Sequence, residues 1–238
     1  MKRLLATFIQ KWPEYILEIL VITIGILGAF ALNSWNEGRK EREEERLTLE
    51  QLREDLVTSK SQSEALIADE IRALKILQAG LGDEEQLDSL FNAGNINEIA
   101  VEIFWDFEHE LPVLRFYDDL KNSGKSAIIK NIAIREQLST LQQNIDRLDY
   151  LLGDRRAVHI TIIDAIAEKD INFLPILTSP YKPLNTGLHS DYKLLLQNQR
   201  IRNLLGIKMQ VTNEVLTSRI KLNSQIQALI SSIEEELQ

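Results

Sequence analysis

Few side chains in this sequence are spaced for chemistry. Asp106 and His109 stand three apart, the separation at which two ligands on one helical turn reach a shared metal ion. Around them Glu98, Glu102, Asp106 and Glu110 recur every fourth residue. No second His shares the segment and no Glu-x-x-His repeat occurs, so this row is expected to be a solvated helix face without a metal. Gly124-Lys125-Ser126 matches the end of a phosphate-binding loop, but the first Gly of that motif falls on Asp119 and no apolar strand precedes it. A nucleotide site is therefore rejected. His159 shares an apolar stripe with Ile162 and Ile166 and is expected to be a satisfied interior histidine, with no Ser-His-Asp order around it. The chain has no Cys, which removes thiol nucleophiles, thiolate metal sites and disulfides. No catalytic residue, metal or cofactor is expected, and the chain is not expected to be an enzyme.

One internal echo bears on ligand binding. Asn131 to Leu138 and Asn198 to Leu205 share the pattern Asn-x-x-Ile-Arg-x-x-Leu, with Ile134, Arg135 and Leu138 answering Ile201, Arg202 and Leu205. Each Asn is placed to cap a helix and each Arg to sit in its first turns, with Tyr117 and Tyr192 upstream. Unpaired amides at a helix start and a guanidinium attract anions together, so Arg135, Arg202, Tyr117 and Tyr192 form a candidate site for an anion or small molecule. Chance similarity, or Arg135 bound to Asp118 or Asp119, explains the same pattern structurally.

The elements that must hold these residues are helices. Ten Gly and five Pro in 238 residues are few, and Ala, Leu, Ile, Glu, Gln and Lys dominate, which predicts an all-α chain. A net charge of -9 argues against nucleic acid, since phosphate neutralisation needs clustered Lys and Arg. Residues 14–36 form an apolar run of membrane-spanning length, with Trp12 and Tyr15 before it and Trp35 closing it. From Trp12 to Trp35 a helix rises about 35 Å, which suits a bilayer with its interfaces. Its polar and small residues, Glu14, Glu18, Gly25, Ala29, Asn33 and Asn36, recur at steps of three, four or seven and so share one face. Small residues let two helices approach closely in a bilayer, and an acid or amide there seeks protein rather than hydrocarbon. Glu18, Gly25, Ala29 and Asn33 are thus the expected helix contact, to a second copy or another membrane protein.

Two rivals compete for this run. Lys2, Arg3 and Lys11 followed by Ile19 to Leu32 and Ala29-Phe30-Ala31 resemble a cleaved signal peptide, and a core helix of a soluble domain passes the same test of length. Aromatic residues at both ends, and a polar face that continues past the cleavage-like site, favour a retained helix. Basic residues flank both ends, with Arg39, Lys40, Arg42, Arg46 and Arg53 following the run among Glu37, Glu41 and Glu43 to Glu45. A simple charge count therefore does not set orientation. The expected topology is a cytoplasmic segment 1–13, a transmembrane span 14–36 and an exported domain 37–238, in one pass.

The stretch EILVITIGILGAFALNSWNEGRK, residues 18–40, together with YDDLKNSGKSAIIKNIAIREQL, residues 117–138, resembles a bacterial family of small, single-pass, membrane-anchored helical proteins of unknown function, common in Bacteroidota. The matching positions are Glu18, Gly25, Ala29, Asn33, Trp35, Asn36 and Glu37, then Tyr117, Leu120, Lys121, Ser123, Gly124, Ile129, Lys130, Asn131 and Arg135. The resemblance implies an inner-membrane anchor carrying a helical domain, most of it in the periplasm, and no known activity.

Beyond the anchor, residues 39–81 contain no helix breaker, and Leu49, Leu52, Leu56, Leu66, Leu74 and Leu77 mark a stripe interrupted by Ser59, Ser63 and Glu70. The interruption and drift predict packing in a bundle rather than a long two-stranded coiled coil. Asp83 is the expected cap of a short helix to Phe91. Further helices are expected at 97–110, 117–123, 133–170 and 190–237, with the Pro-containing connector 171–189 before the last. The leading expectation for function is a non-enzymatic interaction or scaffold protein that associates through its anchor. A periplasmic sensor or ligand-binding bundle is the alternative, and an auxiliary subunit of a membrane complex, resting on Glu18, is the third.

Overall fold

The computed structural model describes residues 2–92, 94, 96–105, 110–172, 174, 187 and 190–238. Among these the chain is all-α, without a strand. The first helix, α1, runs unbroken from Lys2 to Gly80. It joins the apolar run to the charged segment and to the Leu stripe as one rod, about 118 Å long at 1.5 Å per residue. The helix continues through Pro13 and through Gly25, Gly28 and Gly38, residues that disfavour helix interiors. In the charged stretch Arg46 bonds both Glu43 and Glu50, and Lys60 bonds Glu64, as residues three and four apart on a helix do.

Two long helices complete a three-helix bundle with the second half of α1. These are α5, Ile132–Val158, and α8, Gln199–Glu236. Asn131 opens α5 by accepting bonds from the amides of Ala133 and Ile134, and Asn198 opens α8 by accepting from Arg200 and Ile201. Both expected caps are therefore in place. The short helices α2 (Glu84–Asn92), α3 (Ile96–Phe104), α4 (Arg115–Asn122), α6 (Asp164–Lys169) and α7 (Tyr192–Gln197) pack around this frame. Asp83 and Gln86 form a reciprocal cap at the start of α2, each side chain bonding the other's amide. The start of α4 is capped from a distance: Asp55 of α1 accepts from the amides of Phe116 and Tyr117. Gly124 follows α4 at φ +70°, the left-handed conformation that glycine adopts without strain.

Two segments differ from expectation. The helix predicted over 133–170 is broken by a π-helical turn, His159–Ile163, between α5 and α6. The helix system expected over 190–237 is two helices, divided at Asn198, the expected cap of the second. The helix predicted to reach Glu110 is described only to Phe104, and Asp106 and His109 lie outside the described residues. Most of the connector 171–189 also lies outside them, but its ends meet where the Asn172 amide donates to Ser190 Oγ at 2.7 Å.

The core is in two parts. Leu49, Leu52 and Leu56 of α1 pack with Ile134, Leu141 and Leu148 of α5 and with Val215, Leu222, Ile226 and Ile233 of α8. At the other end Leu77 packs with Phe91, Ile103, Phe104, Ile166, Leu196, Ile201 and Leu205. Each fully buried Leu or Ile contributes about 1.5–3 kcal/mol, so both clusters hold their helices chiefly by apolar burial.

Candidate functional site

α1 contains the one stretch, among the described residues, that is long and apolar enough to cross a membrane. None of that window is buried against the rest of the chain, and Leu17, Ile26 and Phe30 are each more than 60% exposed. The exposure removes the reading of a core helix. A position near the N-terminus is common to anchors and signal sequences alike. Near its end the indole of Trp35 lies 5.8 Å under the Arg39 guanidinium, and Asn33 donates to Glu37 at 2.9 Å within the same helix.

The continuity of α1 fixes how its faces relate along the rod. Eighteen residues make about five full turns, so residues eighteen apart lie on one line. Glu18, Asn36, Glu54 and Arg72 form one such line. Ile16, Ser34, Leu52 and Glu70 form another, about 160° away on an ideal helix. Leu52 and Glu70 are buried against α5 and α8, whereas Glu54 and Arg72 are exposed. The bundle thus rises on the side of Ile16 and Ser34, and the face carrying Glu18, Gly25 and Ala29 points away from it. A Cβ placed on Gly25 would meet nothing within 4 Å. The chain's own fold therefore has no steric need for glycine there.

The four residues expected to gather a ligand do not gather. Tyr117 is buried in the first cluster, and its hydroxyl donates to the Leu138 carbonyl at 3.2 Å. Burial, with Asp118 and Asp146 nearby, pushes its phenol up from the ordinary value. Arg135 stands exposed on the opening turn of α5. Tyr192 belongs to the second cluster, at the other end of the bundle, and Arg202 stands beside it, next to Ile201. There Tyr192 is buried with its ring 6.5 Å from Phe104, and burial likewise raises its phenol. Arg202 donates to the carbonyls of Leu196 and Leu81 and so ties α7 and the end of α1 to α8. The open groove of about 790 Å³ beside Lys75, Asp83 and Gln86 is lined by none of the four.

The most unusual group of side chains was visible in the sequence only as an interruption. Glu70, 1% exposed, accepts from Arg155 Nη1 at 2.6 Å on one carboxylate oxygen and from Arg219 Nε at 3.1 Å on the other. Both arginines are as buried as the glutamate. About three turns along α8 from Arg219, buried Lys208 donates to the Ile103 carbonyl at 2.8 Å. His159 is buried beside the Trp105 ring in an edge arrangement, 6.2 Å between centroids. Burial is the largest cause pushing the His159 imidazole down to about 4, with Lys208 adding to it and Asp164 opposing. At neutral pH it is uncharged, as expected of an interior histidine. The only hint in the sequence was that Arg155 and Arg219 occupy inward positions of their stripes. Among the described residues no three His, Asp or Glu side chains are grouped to hold a metal.

This arrangement joins helices and presents no nucleophile with a base. Comparison with family models, with curated proteins and with solved structures finds no match to this chain.

Proposed function

We propose that the chain is a non-enzymatic, membrane-anchored interaction or scaffold protein, in which residues 14–36 stay in the bilayer as a helix and pack against a second copy or another membrane protein. The supporting observation is that no other part of the chain covers the apolar window of α1, on which the row Glu18, Gly25, Ala29 and Asn33 is turned away from the side where the bundle stands. The large apolar side chains from Ile16 to Leu32 are all exposed, and leaving each in water forfeits about 1.5–3 kcal/mol. Lipid covers the apolar flank at no such cost. The carboxylate and the small residues suit a protein neighbour, since polar groups in a bilayer face other helices.

The resemblance of residues 18–40 and 117–138 to the Bacteroidota-type anchored family supports a bacterial inner membrane, with the bundle of residues 37–238 on the periplasmic side. A small-molecule sensor gains no support, as its four residues are divided between two ends of the bundle.

The test is the mass of the protein extracted gently from its membrane. Gly25→Leu or Ala29→Leu is expected to disperse a native-mass complex while helicity is retained. An unchanged mass in both variants, or recovery of a soluble chain cut after Ala31, overturns the reading.

A further inference from the structure

We propose that the bundle comprises two cooperative units that meet at the buried ionic layer, so that the helix ends and short helices packed at the end farthest from the apolar segment open or repack around a straight α1 while the near end stays closed. Polar side chains enter the inward positions of the three long elements over several turns, and Glu70, Arg155 and Arg219 meet at one height among them. On α1 the inward positions Leu49, Leu52 and Leu56 are followed by a mixed stretch, Ser59, Ser63, Leu66 and Glu70, before Leu74 and Leu77. On α5 the apolar run ends at Leu152, and Arg155 and His159 follow. On α8 Lys208, Thr212 and Arg219 are buried between Leu205 and Leu222, with Val215 among them. The two apolar clusters share no residue, and the ionic contact lies near their boundary, with Val215 of the first cluster one turn beyond Arg219.

Buried ion pairs couple differently from apolar contacts. Desolvation offsets most of the attraction between Glu70 and its arginines, so the layer specifies which helices meet and adds little net adhesion. Directly above Arg155 the backbone of α5 changes to π-helical pairing at His159–Ile163, a local departure from α-helical geometry that recurs where helices are functionally adjusted. The far unit is therefore joined to the near one by a weakly adhesive seam. The near unit in turn is fixed to the rod that carries residues 14–36.

Hydrogen exchange on the full-length wild-type protein in detergent micelles tests this. The amides of Ile163–Ala167 and Ile201–Leu205 are expected to exchange together through one opening. That opening should be at least tenfold more populated than the one exposing Leu49–Leu56, Leu141–Leu148 and Leu222–Ile230. Glu70→Gln, which leaves the Arg155 and Arg219 charges buried without that carboxylate, is expected to speed the first set about tenfold or more and leave the second unchanged. A single exchange class throughout wild type, or equal acceleration of both sets in the variant, overturns the proposal. The wild-type measurement decides the matter even if the variant does not fold.

Discussion

His159 is the residue whose environment most changes its chemistry. Its imidazole is held neutral down to about pH 4, mainly by burial and then by Lys208, whereas in the unfolded chain it titrates near the ordinary 6.5. Above pH 6.5 both states are neutral and the group adds no pH dependence. Between 6.5 and 4 the unfolded chain takes up a proton that the folded chain refuses, so stability falls with falling pH; below 4 the loss from this group is complete. Wild type should lose about 2 kcal/mol between pH 7 and pH 5 from this residue, read from urea unfolding at each pH. His159→Gln should lack that part of the slope, and identical slopes in the two proteins would refute the assignment. Glu70 differs in kind, since it is not read from titration but from two guanidinium contacts. The apolar positions of the stripes were legible in the sequence because burial repeats with the helical period. The pairing of Glu70 with Arg155 and Arg219 was not, because periodicity gives the direction in which a side chain points and not which distant element it meets.

At the scale of elements, caps were readable and helix breaks were not. Asn131 and Asn198 each stand before an apolar period, and each does accept two amides. Their removal is expected to cost alike: Asn131→Ala and Asn198→Ala should each destabilise by about 1 kcal/mol, with the melting temperature as readout. Asn131 also donates to Glu236 at the opposite terminus of α8, so its loss should exceed that of Asn198 by a few tenths. Equal or reversed costs would show that this second bond contributes nothing. The π turn at His159–Ile163 left no signature in residue type, since no Gly or Pro marks it. The remote cap supplied by Asp55 to α4 was equally hidden, because donor and acceptor are separated by 61 residues.

For the whole molecule, the absence of cysteine makes the phase of the long rod directly measurable. Single cysteines at Ala29, Asn36 and Leu47 lie within about 20° of the line through Glu18, and Ser34 and Ala31 lie on other faces. If two copies meet through that line, oxidation in membranes should link the first group severalfold more efficiently than the second. Linking at Ala29 without Leu47 would show that the copies part above the bilayer, and uniform linking would show no preferred face. The all-α class was apparent from composition, and the long helical stretch after Arg39 from its lack of breakers. The side of the rod on which α5 and α8 stand was not, since it depends on contacts between segments some 85 to 149 residues apart.

An unbroken backbone from Trp35 to Gly80 has one further consequence for a chain held at residues 14–36. Those residues rise about 68 Å, and no joint along them allows the tip to lean down to the lipid headgroups. Whatever meets Arg202, Leu81 and the turn before α2 must itself stand tall or project from an opposing surface at a fixed stand-off. The rod acts as a gauge of height, and shortening it by whole turns would lower the contact plane by about 5 Å for each turn removed.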